Sequence, residues 1–413
     1  MIAAPRAGDG RTMEKSQDKP KPWVWGLAFL LLWGAFSPTA IDGRVAVETI
    51  LVSTILLLVL DAFMLYRYGS TNRIAQLCGV LVLVVPTAVT IRAQESRIAW
   101  GALMPFSSLA ALYFLNLRRI KVTRSINILF TLASVALLVV AALIVYDASL
   151  IWNFMLDHYS AYNQDLVRNM INGSKPVGPF GSHSIAALFY YLFFLIHLRI
   201  FSVLLRRYNL FLSLGFLGTM FLLRSNTGLA FTAIGMGQLF LVLFRSRAAI
   251  SKVFLVAISL GVLAFVLAFR TALIETLVPI MSSNVNGLAG RFSQSGTLLT
   301  NIAFIRSHPF SPVGFAYRGD LFYGDCGYLE MLIRGSLPLL VAVYVGLFSF
   351  LRQNLLSKDD LFWLLGAIGV MEIGFTNVVT VRFLYLLPFV VIYLNSLERV
   401  RRERAARGAA RAA

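Results

Sequence analysis

Charged residues and cysteines are scarce in this chain of 413 residues. Only 14% of the residues are charged, against the roughly 25% that soluble proteins carry, whereas 58% are apolar. The chain has two cysteines, four histidines and no metal-ligand spacing such as C-x-x-C or H-E-x-x-H. These shortages exclude a disulfide framework and argue against a soluble enzyme with a motif-type zinc site. We expect no metal and no other cofactor.

Long apolar runs fill most of the chain instead. Runs of about 17 to 25 apolar residues are long enough to cross a bilayer as a helix. The pattern predicts an all-α polytopic integral membrane protein with about 12 transmembrane helices. The predicted spans cover residues 23–38, 46–66, 74–91, 99–117, 126–146, 183–201, 208–223, 228–244, 253–269, 336–351, 361–377 and 382–397.

The placement of the basic residues predicts the orientation of these spans. The net charge is +18, and roughly two thirds of the 37 lysines and arginines fall on one side of the membrane if the N-terminus is cytoplasmic. Cytoplasmic loops carry such an excess, so the asymmetry predicts an N-in, C-in topology. We therefore interpret the basic residues as a topology signal and as groups that contact the headgroups of membrane lipids. We expect no nucleic acid partner.

The spans divide the chain into seven segments, two of which are long outside loops. The segments are a cytoplasmic tail (1–22), N-terminal spans (23–146), a first periplasmic loop (147–182), central spans (183–269), a second periplasmic loop (270–335), C-terminal spans (336–397) and a basic cytoplasmic tail (398–413). Functional residues concentrate in loops that a rigid scaffold positions. The first loop also predicts an amphipathic helix over residues 151–170, lying on the outer face.

Several arginines lie outside, against the positive-inside bias. Arg291, Arg306 and Arg318 lie on the second long loop, and Arg224 follows the seventh span in the sharp turn "FLLRSNTGLAF". An anionic substrate such as a diphosphate explains these cations, because guanidinium groups fork onto phosphate oxygens. Two other interpretations stay open: Arg224 as an interfacial side chain at a helix end, and pairing of the loop cations with nearby acids. Those acids are Glu275, Asp320, Asp325 and Glu330.

Three residues at the outside face are candidates for a proton acceptor. His308 lies in the stiff, proline-rich stretch "SHPFSPVGFAYRG", His183 begins the sixth span after a Gly-Pro turn, and Asp325 enters the tenth span from outside. A carboxylate such as Asp325 also stabilises free N–H groups at a helix start. Glu372 lies within a predicted span, where it marks an ion path or pairs with Arg382.

Four segments together resemble the bacterial O-antigen ligase and polymerase superfamily. They read "LLRSNTGLAF", "GPFGSHSIA", "HPFSPVGF" and "DCGYLEMLIRGSLP". Proteins of that superfamily act on undecaprenyl-diphosphate-linked glycans at the outer face of the bacterial inner membrane. The resemblance implies that Arg224 and Arg291 hold the lipid diphosphate. The ligase branch tends to have a histidine where this chain has Asp325, and that departure favours the polymerase branch.

The expected function is therefore a polysaccharide polymerase of the bacterial inner membrane. It would transfer a growing glycan from one undecaprenyl diphosphate to the next lipid-linked repeat, with or without a separate chain-length regulator as partner. The catalytic candidates are Asp325, His308 and His183, and the diphosphate candidates are Arg224, Arg291, Arg318 and Arg306. An O-antigen ligase and, from another class, a lipid-linked oligosaccharide flippase or transporter are the alternatives.

Overall fold

The computed structural model describes residues 22–41, 44–45, 47–93, 100–159, 164–246, 251–261, 264, 296–309 and 311–412. Most of these residues are helical, as predicted. The α-helices are α1 (Pro22–Phe36), α2 (Val47–Tyr68), α3 (Arg73–Arg92), α4 (Trp100–Tyr113), α5 (Arg124–Tyr146), α6 (Trp152–Tyr159), α7 (Gln164–Asn172), α8 (His183–Leu204), α9 (Arg207–Leu222), α10 (Asn226–Arg245), α11 (Ser251–Gly261), α12 (Thr297–Ser307), α13 (Gly327–Asn354), α14 (Lys358–Gly374) and α15 (Val381–Ala412).

Shorter elements join these helices. Strands β1 (Ala40–Ile41) and β2 (Arg44–Val45) pair antiparallel after α1. Single 3₁₀ turns are formed by Leu117–Arg119, Ala148–Leu150 and Gly178–Phe180.

Seven of the described helices are long and apolar enough to cross a membrane. These candidate spans are Leu51–Tyr68, Arg73–Arg92, Arg124–Tyr146, His183–Leu204, Asn226–Arg245, Gly327–Asn354 and Val381–Arg407, each with an apolar stretch of 18 residues. Large apolar side chains such as Leu77, Leu132 and Phe244 point outwards from three of these helices and are more than 60% exposed. A surface of this kind is stable in lipid and unfavourable in water. The protein therefore has the architecture of a polytopic membrane protein.

The other five predicted spans coincide with shorter helices: α1, α4, α9, α11 and α14. Among the described residues, fewer helices than the predicted 12 reach the length and composition of a full span, and residues 262–263 and 265–269 of the predicted span 253–269 lie outside the described residues.

Helix α8 lies in the centre of the bundle. Every residue from 184 to 198 is buried, which agrees with a sequence that is apolar all round the helix. It packs against α9, α10 and α15. Its histidine, His197, is satisfied within the core, because its two ring nitrogens lie 2.8 Å from Asn209 Oδ1 and 2.8 Å from Ser134 Oγ.

The long connections gather at one end of the bundle, called here the loop end. It carries α6, α7, α12 and the segment 311–326. The backbone N–H of Thr39 donates to His158 O at 2.8 Å, and the N–H of Phe315 donates to Thr90 Oγ1 at 2.8 Å. The opposite end, called the basic end, carries the Leu117–Arg119 turn and the arginine-rich C-terminal part of α15. The connections at the loop end thus pack on the ends of spanning helices.

The segment 151–170, predicted to form an amphipathic helix, contains α6 and most of α7. Its apolar side chains are buried on one side, in a cluster that includes Met155, Leu156 and Val167 and rests on Ile144 at the end of α5. Residues 160–163, between the two helices, lie outside the described residues. The described parts of this segment are thus helical and bury apolar side chains, as an amphipathic helix does.

Helix α13 begins earlier than the hydropathy predicts. The second long loop was predicted to extend to residue 335, but the helix starts at Gly327 and kinks at Gly335 and Ser336, which has a φ of 54°. Glu330 and Arg334 lower the hydropathy of this first part, yet they form an i,i+4 ion pair that stabilises a helix. The last turns of the predicted loop therefore belong to a helix.

Candidate functional site

Three backbone segments that carry sequence-predicted site residues are connected at the loop end, one of them through residues 374–376. Ser184 Oγ, beside His183, lies 3.4 Å from Thr227 Oγ1 at the start of α10. Thr227 in turn faces Gly374, at which a Cβ atom would be 3.7 Å from the threonine oxygen. The N–H of Thr376 then donates to Gly324 O at 2.8 Å. These contacts connect the segments of His183, Arg224 and Asp325.

Arg224 lies in the tight turn between α9 and α10 that the sequence predicts. Its side chain is exposed and its φ is 48°, a left-handed conformation that is uncommon for residues other than glycine. Ser225 caps α10 by accepting the N–H of Gly228 at 3.1 Å. A Cβ atom at Gly228 would lie 2.6 Å from Met220 O, so the turn requires glycine there. The backbone of Arg224 is thus fixed while its guanidinium stays accessible.

Lys175 is a second cation at this place, and the sequence analysis missed it. It is half-buried, and burial lowers the pKa of its amine below the usual 10.5, with a further decrease from the neighbouring Arg224. The next residue is anchored on α8, because Tyr190 donates its hydroxyl to Pro176 O at 2.8 Å. The only signal in the sequence is a lysine between a Gly-Ser turn and a proline, on a loop predicted to lie outside.

Asp325 is half-exposed and immediately precedes Cys326, the N-cap residue of α13. The backbone beside it is held on both sides. The N–H of Gly324 donates to Glu330 Oε2 at 3.0 Å, and Gly324 O accepts from Thr376. A carboxylate carried by such a fixed backbone keeps its position relative to the turn that holds Arg224.

Glu372 is fully buried and organises the turn that follows α14. It accepts hydrogen bonds from Tyr344 Oη at 2.7 Å, from Asn377 N at 2.7 Å and from Val378 N at 2.9 Å. Arg382, the partner considered from the sequence, donates to the carbonyl groups of Ala35 and Ser37. Glu372 is thus satisfied by a tyrosine and by the backbone.

His308 and Arg318 meet on one aromatic ring. His308 stacks on Phe304 with ring centroids 4.9 Å apart, and the Arg318 guanidinium lies 5.2 Å from the centre of the same ring. Arg318 also forms a bidentate ion pair with Asp320, with N–O distances of 3.2 and 3.1 Å. The pairing with acids that the sequence left open therefore applies to Arg318. Arg306 is exposed in the last turn of α12.

This aromatic group is tied to the segment that carries Asp325. Asn301 of α12 exchanges two hydrogen bonds with the backbone of Phe322, at 2.7 and 3.1 Å, only three residues before Asp325. Arg334 ties the same segment to α13 by donating to Gly314 O at 3.1 Å and to Glu330 at 2.8 Å. The predicted residue Arg291 lies outside the described residues.

No group of three metal-ligating side chains occurs in the described part of the chain. Comparison of the chain with protein-family models, with curated proteins and with solved structures found no match.

Proposed function

We propose that the protein is a polysaccharide polymerase that transfers a glycan from one polyprenyl diphosphate to the next lipid-linked repeat. The proposal includes the predicted topology: about 12 spans, both termini cytoplasmic, and the loop end at the periplasmic face of a bacterial inner membrane. Its support is the resemblance of the four segments to the O-antigen polymerase and ligase superfamily, together with the arrangement of charges at the loop end.

The observation that carries the proposal is the exposed Arg224 on its fixed left-handed turn, together with its neighbouring cation Lys175. They come from different connections and lie close enough to each other for Arg224 to lower the pKa of Lys175. Two cations that repel each other gain from an anion placed between them. A diphosphate supplies that anion, since Arg224 can donate to two oxygens and Lys175 acts as a point charge. Arg291 is a further proposed contact.

The reaction needs charge stabilisation and one proton transfer. The acceptor hydroxyl oxygen forms a bond to the anomeric carbon of the donor sugar, and the bond from that carbon to the diphosphate oxygen breaks with its electron pair. The hydroxyl proton passes to the Asp325 carboxylate, or to His183 or His308, which remain the alternative bases. The diphosphate leaves as an anion held by Lys175 and Arg224.

The experiment uses the purified protein in lipid vesicles with a lipid-linked repeat unit, and the product ladder is followed on gels. Arg224→Gln and Lys175→Gln are expected to lower the initial rate about 100-fold each, as the loss of one charge-stabilising donor does. Asp325→Asn is expected to lower it by a similar factor. Arg168→Gln is the matched control, because Arg168 lies on the same connection, is exposed and pairs with Asp165 at 3.5 Å.

Equal losses in Arg168→Gln and in Arg224→Gln would contradict the diphosphate site. The diphosphate site would also be contradicted if the Lys175→Gln and Arg224→Gln variants both elongated the glycan at the wild-type rate.

A second candidate, a transporter of lipid-linked oligosaccharide, is favoured by one observation. Asp61 lies within the apolar helix α2, is 2% exposed, and its Oδ1 has no hydrogen-bond partner in the part of the chain that the structure describes. Buried acids at membrane depth commonly belong to ion or proton pathways.

Deletion of the gene in its host separates these functions. A polymerase is indicated by lipid-linked single repeats without polymer. A ligase is indicated by long polymer that stays on the lipid carrier. Repeats trapped on the cytoplasmic leaflet would indicate transport and would overturn the polymerase proposal.

A further inference from the structure

A strongly basic cavity of about 500 Å³ opens at the basic end of the bundle. Four arginines and one glutamate line it: Arg118, Arg119, Arg399, Arg402 and Glu403. The first two arginines follow α4, and the other three residues lie on α15. The cavity is therefore built between two elements that are far apart in the sequence, and its volume falls within the range of small-ligand pockets.

Two buried asparagines hold the walls of this cavity in place. Asn354 accepts the N–H of Leu117 at 2.6 Å and donates to Leu115 O at 3.2 Å, which fixes the turn that carries Arg118 and Arg119. Asn395 of α15 accepts the N–H of Leu356 at 2.9 Å. Buried, fully bonded polar groups of this kind rigidify a site. The arginines are thus attached to a preorganised backbone.

The charges in this cavity are incompletely compensated. Arg402 donates to Glu398 at 3.0 Å and to Leu356 O at 2.8 Å, so it serves the structure. The guanidinium groups of Arg118 and Arg119 form no hydrogen bond or ion pair with the residues that the structure describes. Arg399 is half-buried and within electrostatic range of both Arg118 and Glu403, so one lining acid stands against four lining arginines. Like charges collected in this way are stabilised by a bound anion.

The depth of the cavity indicates where the anion comes from. The buried apolar stretch of α15 ends at Leu397, two residues before Arg399, and the long apolar helix α5 begins at Arg124, five residues after Arg119. The arginines therefore lie next to the ends of two apolar stretches, which is the level expected for phospholipid headgroups. Basic pockets between spanning helices at this depth suit anionic headgroups.

We propose that this cavity binds the headgroup phosphate of an anionic phospholipid, with Arg118, Arg119 and Arg399 as its donors. The site is independent of the loop end, and it does not depend on the proposed polymerase activity. A bound lipid of this kind bridges the turn after α4 to α15.

The test measures retention of lipid by the purified full-length protein in detergent, by native mass spectrometry. The probes are short-chain phosphatidylglycerol, phosphatidylcholine and inorganic phosphate. The wild-type protein is expected to retain phosphatidylglycerol at least about tenfold better than phosphatidylcholine, and Arg118→Gln/Arg399→Gln is expected to lose that preference. Arg207→Gln/Arg352→Gln removes the same charge from exposed positions outside the cavity and is expected to keep it.

Three results overturn the proposal. Equal loss in both double variants would assign lipid binding to general surface charge. Displacement of phosphatidylglycerol by inorganic phosphate at equal concentration would assign the cavity to a free phosphate. Equal retention of phosphatidylcholine and phosphatidylglycerol by the wild-type protein would remove any role for the anion. The thermal unfolding of both double variants without added lipid checks that they fold as the wild type does.

Discussion

Replacement of Gly327 by alanine tests how the start of α13 is held against α14. A Cβ atom at position 327 would lie 1.6 Å from Glu372 Oε2 and 3.0 Å from Tyr344 Oη, so the carboxylate has to move. That movement breaks the 2.7 Å hydrogen bond from Tyr344 in a fully buried place. A lost buried hydrogen bond costs about 1 to 3 kcal/mol, and overpacking costs about 1 to 3 kcal/mol more. Gly327→Ala is therefore expected to lower the free energy of unfolding by about 2 to 6 kcal/mol.

The assay is equilibrium unfolding in mixed micelles with increasing denaturing detergent. Gly366→Ala is the matched control, because position 366 on the neighbouring helix faces open space and accepts a methyl group without a clash. In a double-mutant cycle, Gly327→Ala is expected to cost much less when Glu372 is already replaced by alanine. A Gly327→Ala variant as stable as the Gly366→Ala variant would refute the reasoning, and so would an equal cost in both backgrounds.

Two further predictions concern charged groups of the loop end. Arg334→Met is expected to lower the free energy of unfolding by about 3 to 5 kcal/mol, because it leaves the buried Glu330 without its ion-pair partner. Arg168→Met removes an exposed ion pair and is expected to cost less than about 1 kcal/mol. Equal costs of the two variants in the same unfolding assay would contradict this prediction. Burial and Arg224 lower the pKa of Lys175 below 10.5. The protonated form is therefore lost at a lower pH than for an ordinary lysine, and binding of a diphosphate is expected to weaken as the pH rises through that lowered pKa. Arg224→Gln is expected to raise the pKa of Lys175 again, which leaves less of the neutral, reactive amine at mildly alkaline pH. Labelling of Lys175 by an amine-reactive probe is therefore expected to slow. An unchanged labelling rate would disprove the electrostatic coupling between Arg224 and Lys175.

The helices of this fold were predictable where apolar character and helix extent coincide. The predicted span at 74–91 corresponds to Arg73–Arg92, the span at 126–146 to Arg124–Tyr146, and the span at 183–201 to His183–Leu204. In each case a polar N-cap or first residue precedes a continuous apolar run. Hydropathy fails at α13, because it counts Glu330 and Arg334 as polar, whereas the two charges neutralise each other within one helical turn.

The site was predictable in its local parts and not in its long-range ones. The turn that exposes Arg224 follows from "RSNTG", with a serine N-cap and a glycine at a crowded position. Its neighbour Lys175 is far away in the sequence and carries no local motif. The proximity of the two cations depends on how the connection before α8 packs, which Tyr190 fixes from inside the bundle. The sequence alone does not show this packing, so it does not indicate that Lys175 lies near Arg224.

The arginines predicted to lie outside look equivalent in the sequence, and their surroundings separate them. Arg334 is buried and committed to Glu330 and Gly314, and Arg318 is paired with Asp320 above an aromatic ring. The positive charge of Arg334 and that of Arg318 are therefore each neutralised by an acidic partner. Arg224 is accessible and stands beside another cation, a combination that an ion pair does not explain. The repulsion between two neighbouring cations opposes folding, and an anion bound as in the proposed diphosphate site would offset it.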